Sequence, residues 1–174
     1  SGNFNVGTLY LNGPSSLGTV TFASPIDLNN GSRTIHVLDN VDTTFDYAIV
    51  SGEISGSGGL TKMGAISWNT GPYGGGAPPL RLSGGNTYTG TTTVSVGSLV
   101  VETIGDTAST SSNLGAGSAV VALAGSTSLD YIGSGETSDR QIRNSAANQS
   151  FTITNNGGGP LVLTNLGLTA TSGA

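Results

Sequence analysis

Between Leu80 and Val101 the chain repeats one short phrase, in which two apolar residues flank a single outward residue and a turn follows: Leu80-Arg81-Leu82, Val94-Ser95-Val96 and Leu99-Val100-Val101. On an extended strand the members of each pair share one face, while Arg81, Ser95 and Val100 take the other. Gly84-Gly85-Asn86 and Gly97-Ser98 supply the turns, because left-handed backbone costs little at such residues. Strands this short bury too little surface alone. Coiled into stacked rungs, they give the paired apolar residues a common interior, so the spacing predicts one rung of a β-solenoid.

Composition agrees. Among 174 residues there are 29 glycines, and a glycine in a helix interior costs roughly 1 kcal/mol. No window keeps an apolar period of 3.6 residues, so an all-β chain is expected, with essentially no long helix. Charged residues make up only 9 % of the chain, which leaves Ser, Thr and Asn to carry the polar surface.

The same numbers exclude partners. A net charge of -5 with 5 Lys and Arg provides no basic stripe to neutralise phosphates, so nucleic acid is not expected as a ligand. No apolar run approaches the roughly 20 residues that cross a bilayer, and no membrane insertion of this segment is expected. Ser1 onward also lacks the charged and apolar regions of a signal peptide. The absence of Cys fits a reducing compartment, and equally a chain threaded unfolded through an outer-membrane pore.

Three segments share the pattern of a short alternating strand closed by a turn: Gly7 to Gly13, Pro79 to Gly84 and Pro160 to Asn165. Further strands are expected at Thr19 to Ala23, Thr34 to Leu38, Phe45 to Val50, Thr92 to Val96, Ser98 to Glu102, Ala119 to Leu123, Ser128 to Ile132 and Ser150 to Thr154. Gly97-Ser98-Leu99-Val100-Val101 and Gly117-Ser118-Ala119-Val120-Val121 repeat one phrase, which predicts adjacent rungs and a single interior column through Leu80, Leu99 and Val120. Roughly eight rungs about 4.8 Å apart follow from that period. Asn69 to Pro79 is rich in Pro and Gly and reads as a loop thrown from a corner, and Thr103 to Ala116 reads as a second excursion. With strand patterns on both sides of each, residues 1–174 read as a single solenoid segment and are expected to be a slice of a larger repeat protein.

The stretch Leu80-x-Leu82-Ser83-Gly84-x-Asn86-Thr87-Tyr88-Thr89-Gly90-x-Thr92-Thr93-Val94-x-x-Gly97-x-Leu99 resembles the passenger-associated repeat of bacterial autotransporters. Ile54-Ser55-Gly56-Ser57-Gly58-Gly59-Leu60-Thr61-Lys62-Met63-Gly64 is similar to the phrase that commonly precedes it, in the same order. Ala65-Ile66-Ser67-Trp68 and the Gly/Pro loop depart from that pattern. The likeness is strongest over 54–101 and weakest before Ile54. It implies a right-handed parallel β-helix, exported to the cell surface or beyond, without catalysis and without a cofactor.

Each residue with chemical potential has a plainer role beside it. Tyr88 offers a ring on which a sugar could stack, but its Asn and Gly neighbours point to a packed corner. Asn86 suits a ladder of stacked amides. Asp39, Asp42 and Asp46, with Asn40, are the densest oxygen donors, yet their spacing follows neither an EF-hand nor a calcium β-roll, so no metal ligand is assigned. His36 reads as a surface residue. Paired carboxylates for glycoside chemistry would have to come from Asp39, Asp42, Asp46 and Glu53, and a Ser/His/Asp triad would have to use His36 without a G-x-S-x-G elbow. Gly56 to Gly59 and Gly133 to Ser138 precede no Gly-Lys-Ser/Thr and read as corners.

No catalytic, cofactor-binding or metal residue is therefore assigned. The expected protein is a non-enzymatic structural or adhesive β-helix of a bacterial surface or secreted protein, acting as stalk or adhesin. A self-assembling filament subunit with head-to-tail rung stacking is the alternative, and a polysaccharide-processing enzyme is the third. Expected partners are a second copy, or further chain, at the solenoid ends, and a carbohydrate or host-surface ligand.

Overall fold

A computed structural model of the chain describes residues 7–40, 42–43, 47–64 and 77–168. Seventeen strands, and no helix, occur among them. They are β1 (Thr8–Leu11), β2 (Val20–Phe22), β3 (Ile26–Asp27), β4 (Arg33–Val37), β5 (Ala48–Val50), β6 (Ile54–Ser55), β7 (Leu60–Gly64), β8 (Leu80–Leu82) and β9 (Thr92–Val94). The second half adds β10 (Ser98–Val101), β11 (Val121–Leu123), β12 (Ser128–Tyr131), β13 (Glu136–Ser138), β14 (Ile142–Asn144), β15 (Thr152–Asn155), β16 (Leu161–Leu163) and β17 (Leu166–Gly167).

Every pairing of named strands is parallel, and none joins neighbours in sequence. One wall is the seven-stranded sheet β1-β4-β7-β9-β11-β14-β17, a second is the six-stranded sheet β15-β12-β10-β8-β5-β2, and the pairs β3-β6 and β13-β16 make short sheets of their own. The chain is a parallel β-solenoid. It is shorter than the eight or so rungs expected from a twenty-residue period, because the rungs are longer than that period allows.

The core is a set of columns. Ala48, Leu80, Leu99 and Leu129 stack in register on the six-stranded wall, and Val50, Leu82, Val101 and Tyr131 stand beside them. Their side chains are all buried. Burying one such aliphatic side chain is worth about 1.5–3 kcal/mol, so the columns are the main favourable term in each rung.

The expected column through Leu80, Leu82, Leu99, Val101 and Val120 holds for four of its five members. Leu99 stacks next on Leu129, whereas Val121 belongs to the other wall between Thr92 and Ile142, and Val120 is only half-buried. The two Gly-Ser-x-Val-Val phrases are thus on different walls. Val96 is also half-buried, and Thr92 takes the inward place beside Val94.

Corners rely on glycine for close approach as much as for turning. A Cβ on Gly90 would fall on the backbone of Gly58 one rung away, so only hydrogen fits there. Gly97, by contrast, turns with φ of 76° before β10. Residues 69–76 of the expected Pro/Gly loop, and Ala65 to Trp68 before it, lie outside the described residues. The second excursion, Thr103 to Ala116, holds no named strand and touches the solenoid through an isolated antiparallel bridge from Ser112 to Asn86.

Candidate functional site

Polar groups gather inside the solenoid, at places that parity alone would assign to apolar residues. Lys62 lies on β7 between the outward Thr61 and Met63, so its side chain points inward and is fully buried. Its Nζ donates to the carbonyls of Pro78 at 2.8 Å and Val96 at 2.7 Å. Burial lowers its pKa from 10.5 to about 8. Lys62 thereby ties Pro78, just before β8, to the corner before β10.

Arg140 is the second buried cation. Its Nη1 donates to the carbonyls of Leu114 and Ala119, both at 3.0 Å, and its Nη2 donates to the Gly115 carbonyl at 3.0 Å and to Ser112 Oγ at 3.3 Å. Burial lowers its pKa, while Tyr88, Glu136 and Asp106 pull the other way. The residues before it act on the same excursion. Glu136 accepts from the N–H of Ile104 at 2.5 Å, and Asp139 accepts from the N–H and hydroxyl of Thr107 at 2.6 and 2.7 Å. Those two bonds hold the Asp139 carboxyl below the usual range. The excursion is therefore shaped by side chains from the following rung.

Two asparagines complete the interior network. Asn86 Oδ1 accepts from the Ile54 N–H at 2.8 Å, and its Nδ2 donates to the Asn113 carbonyl at 2.6 Å. Asn113 Oδ1 accepts from the N–H groups of Glu102 and Thr103, and its Nδ2 donates to the Gly84 carbonyl. The expected stack of amide on amide is instead a bridge from amide to backbone, because the corner leaves peptide groups that need partners.

Tyr88 is fully buried, with its hydroxyl 2.5 Å from Thr92 Oγ1, and burial pushes its pKa up to about 12. It offers no sugar platform. His36 faces outward from β4, half-buried, and stacks on Tyr10 with ring centroids 5.3 Å apart. Asn40 Nδ2 donates to the Ser16 carbonyl, and its Oδ1 accepts from the Asp42 N–H, so this amide closes a turn. Asp46 lies outside the described residues, and among those described no three of His, Asp and Glu converge as a metal would require. Glu53 Oε1 accepts from the Thr87 hydroxyl at 2.8 Å.

Sequence reasoning missed Lys62 and Arg140 as interior groups. For Lys62 the signal was present, since it shares the parity of Leu60 in an alternating strand.

The solenoid ends differ from its middle. The large apolar side chains exposed among the described residues are Tyr10, Leu17, Val20, Tyr47, Val162, Leu166 and Leu168. Tyr10, Leu17, Val20, Val162, Leu166 and Leu168 belong to the first and last rungs, and Tyr47 precedes β5 of the second. At the C-terminal end an open hollow of about 390 Å³ is lined by Phe151, Ile153, Leu166 and Leu168 with Gln149 and Ser150.

Fold and interior define the class as a parallel β-solenoid with a polar network pinning its loops. Beyond that class, comparison with family models, curated proteins and solved structures finds no match.

Proposed function

We propose that this chain is a structural segment of an exported bacterial surface protein, a stalk or adhesin that carries loops on a right-handed β-helix and performs no catalysis. The observation that carries the reading is the use of polar side chains to fasten loops. Buried Lys62 and Arg140, half-buried Glu136 and exposed Asp139 all hold loop backbone. Side chains bound in this way fix the shape of surface loops, which is the need of a scaffold whose loops meet a ligand. The phrases within 54–101 that resemble the passenger-associated repeat support export, and a neutral glycan or host-surface group is the ligand class that suits a surface rich in Ser, Thr and Asn.

The test combines two measurements on the purified chain. Binding to an array of neutral and acidic glycans and to cultured cells is expected, without release of product from a panel of polysaccharides. Product release that disappears in the triple variant Asp39→Asn, Asp42→Asn, Asp46→Asn would overturn the non-catalytic reading in favour of an enzyme. Self-assembly is the second reading, favoured by the exposed apolar side chains on the terminal rungs.

A further inference from the structure

The excursion that leaves β10 is held on its two limbs by opposite means. On the outgoing limb each backbone N–H from Ile104 to Ala108 is received by a side chain, and four of the five by a carboxylate. Glu136 takes those of Ile104 at 2.5 Å and Gly105 at 3.4 Å, Asp139 takes that of Thr107 at 2.6 Å, and Asp106 takes that of Ala108 at 3.0 Å. The Asp106 N–H goes to Ser109 Oγ. The return limb is held by groups that keep their charge in acid, or have none. Arg140 serves the carbonyls of Leu114, Gly115 and Ala119, Ser112 exchanges two backbone bonds with Asn86, and the Ala116 N–H donates to the Tyr88 carbonyl.

Burial divides the limbs at the same place. Asp106, Thr107, Ala108, Thr110 and Ser111 are exposed, whereas Ser112, Asn113, Leu114 and Gly115 are buried, as is Ile104 at the root. Gly105, with φ of 73°, and Gly115, with φ of 81°, supply the turning points. Two neutral bonds also reach the outgoing limb, from Ser138 Oγ to the Gly105 carbonyl and from the Gly117 N–H to the Ser109 carbonyl. Facing Glu136 and Asp139 are Arg140 from their own segment and Asp106 from the loop, with Tyr88 within electrostatic reach of Arg140. Glu102 is paired with Arg81, and β16, which packs on β13, lies in the uncharged stretch after Arg143.

We propose that the outgoing limb, residues 105–111, is an acid-released latch, which swings free about Ile104 when protons neutralise the carboxylates that hold it, while residues 112–119 stay on the solenoid. This goes beyond the scaffold reading, since it concerns how a displayed loop changes shape whatever it meets. Hydrogen bonds to a carboxylate are roughly twice as strong as neutral ones, so neutralisation weakens the outgoing limb selectively. The Arg140 guanidinium keeps its charge throughout. The two Thr107 bonds hold the Asp139 carboxyl below its ordinary value of 3.8. Their contribution is therefore present above 3.8 and is lost as pH falls through the lower value of the folded chain.

The test is amide hydrogen exchange of the whole chain, resolved by residue in NMR spectra from neutral pH down to about pH 2.5 and corrected for intrinsic rates. Gly105, Thr107 and Ala108 are expected to lose protection about tenfold in acid, with Ala116 and Ala119 unchanged. Asp139 is exposed, so Asp139→Asn leaves the core intact. That variant is expected to show the loss at Thr107 already at neutral pH, with little further change in acid. Protection at Thr107 that holds to about pH 2.5 would overturn the proposal. Loss at Thr107 and Ala116 together would overturn it as well, as would unfolding of the whole chain, by circular dichroism, before the limb opens. These measurements read the loop and not a ligand, so their failure leaves the glycan-binding and turnover tests, and the non-catalytic reading, untouched.

Discussion

Leu99 and Ile153 stand in one inward column of the six-stranded wall, yet the first is fully sealed and the second is only partly covered. The difference is not chemistry, because both are branched aliphatic residues at the same parity. Leu99 lies between Leu80 and Leu129, whereas Ile153 has Leu129 on one side and an open hollow on the other. Stability in a solenoid is a sum of rung and neighbour terms, so a residue at the end holds about half the contacts of its equivalent in the middle. What the comparison teaches is that burial in this fold depends on the rung at either side and not on the residue alone.

The largest expected effect comes from the interior network that the middle has and the ends lack. Arg140→Leu would take the donor from the carbonyls of Leu114 and Ala119, whereas the Gly115 carbonyl keeps the Ser112 hydroxyl and Ser112 Oγ keeps the Leu114 N–H. With two buried carbonyls unsatisfied at about 1–3 kcal/mol each, a loss of roughly 4 kcal/mol is expected in chemical denaturation. Hydrogen exchange should report the opening of residues 103–119 first. A loss under 1 kcal/mol would mean that the excursion is held by other contacts and that the middle is no better fastened than the ends.

The comparison itself is tested by a pair. Leu99→Ala is expected to cost about 3 kcal/mol, in the range for a large-to-small change in a sealed core, and Ile153→Ala about 1 kcal/mol in monomeric protein. Equal costs at low concentration would show that the hollow is not open in solution.

Lys62 sharpens the contrast through pH. Its pKa falls from 10.5 in the unfolded chain to about 8 in the folded one, because burial penalises the charged form. Between those values the unfolded chain binds more protons, so stability rises with pH across that window, and the contribution is lost as pH falls through 8. A shift of that size corresponds to about 3 kcal/mol at most. Relative to Lys62→Met, the wild type is therefore expected to gain stability from pH 7 to pH 10.5, and a flat difference would place the ammonium in contact with water.

The parity of the strands was legible in the sequence, and the rung length was not. Alternation at Leu80-Arg81-Leu82 or Ser128 to Ile132 survives any reading, since a strand with one buried face must alternate. Rung length is set by loops, which have no such constraint. Leu80 reaches Leu99 after nineteen positions, but Leu99 reaches Leu129 only after thirty, because the excursion after Val101 lengthens that turn. A period taken from the shortest rung put Val120 in the wrong wall. The interior cations were hidden for another reason: composition marks Lys and Arg as surface residues, and only carbonyls from distant loops make their burial tolerable. Catalytic residues were assigned to none in the sequence, and the acidic stretch at Asp39 and Asp42 is joined by Asn40 into a turn.

The smallest effect bears on why charge sits where it does. Arg81 and Glu102 form an ion pair on the outer face of the middle rungs, each side chain more than a third exposed. Water screens such a pair, and it is worth 0–1 kcal/mol, so Arg81→Gln is expected to change stability by about 0.5 kcal/mol and less in high salt. If that holds, the confinement of charge to Asp27 through Arg143 owes nothing to the stability of individual rungs. Thr154→Lys adds a charge to the outer face of the edge strand β15 and, on the same ground, is expected to leave the melting temperature nearly unchanged. Were Arg81→Gln to cost 2 kcal/mol or more, the mid-rod charges would be structural after all.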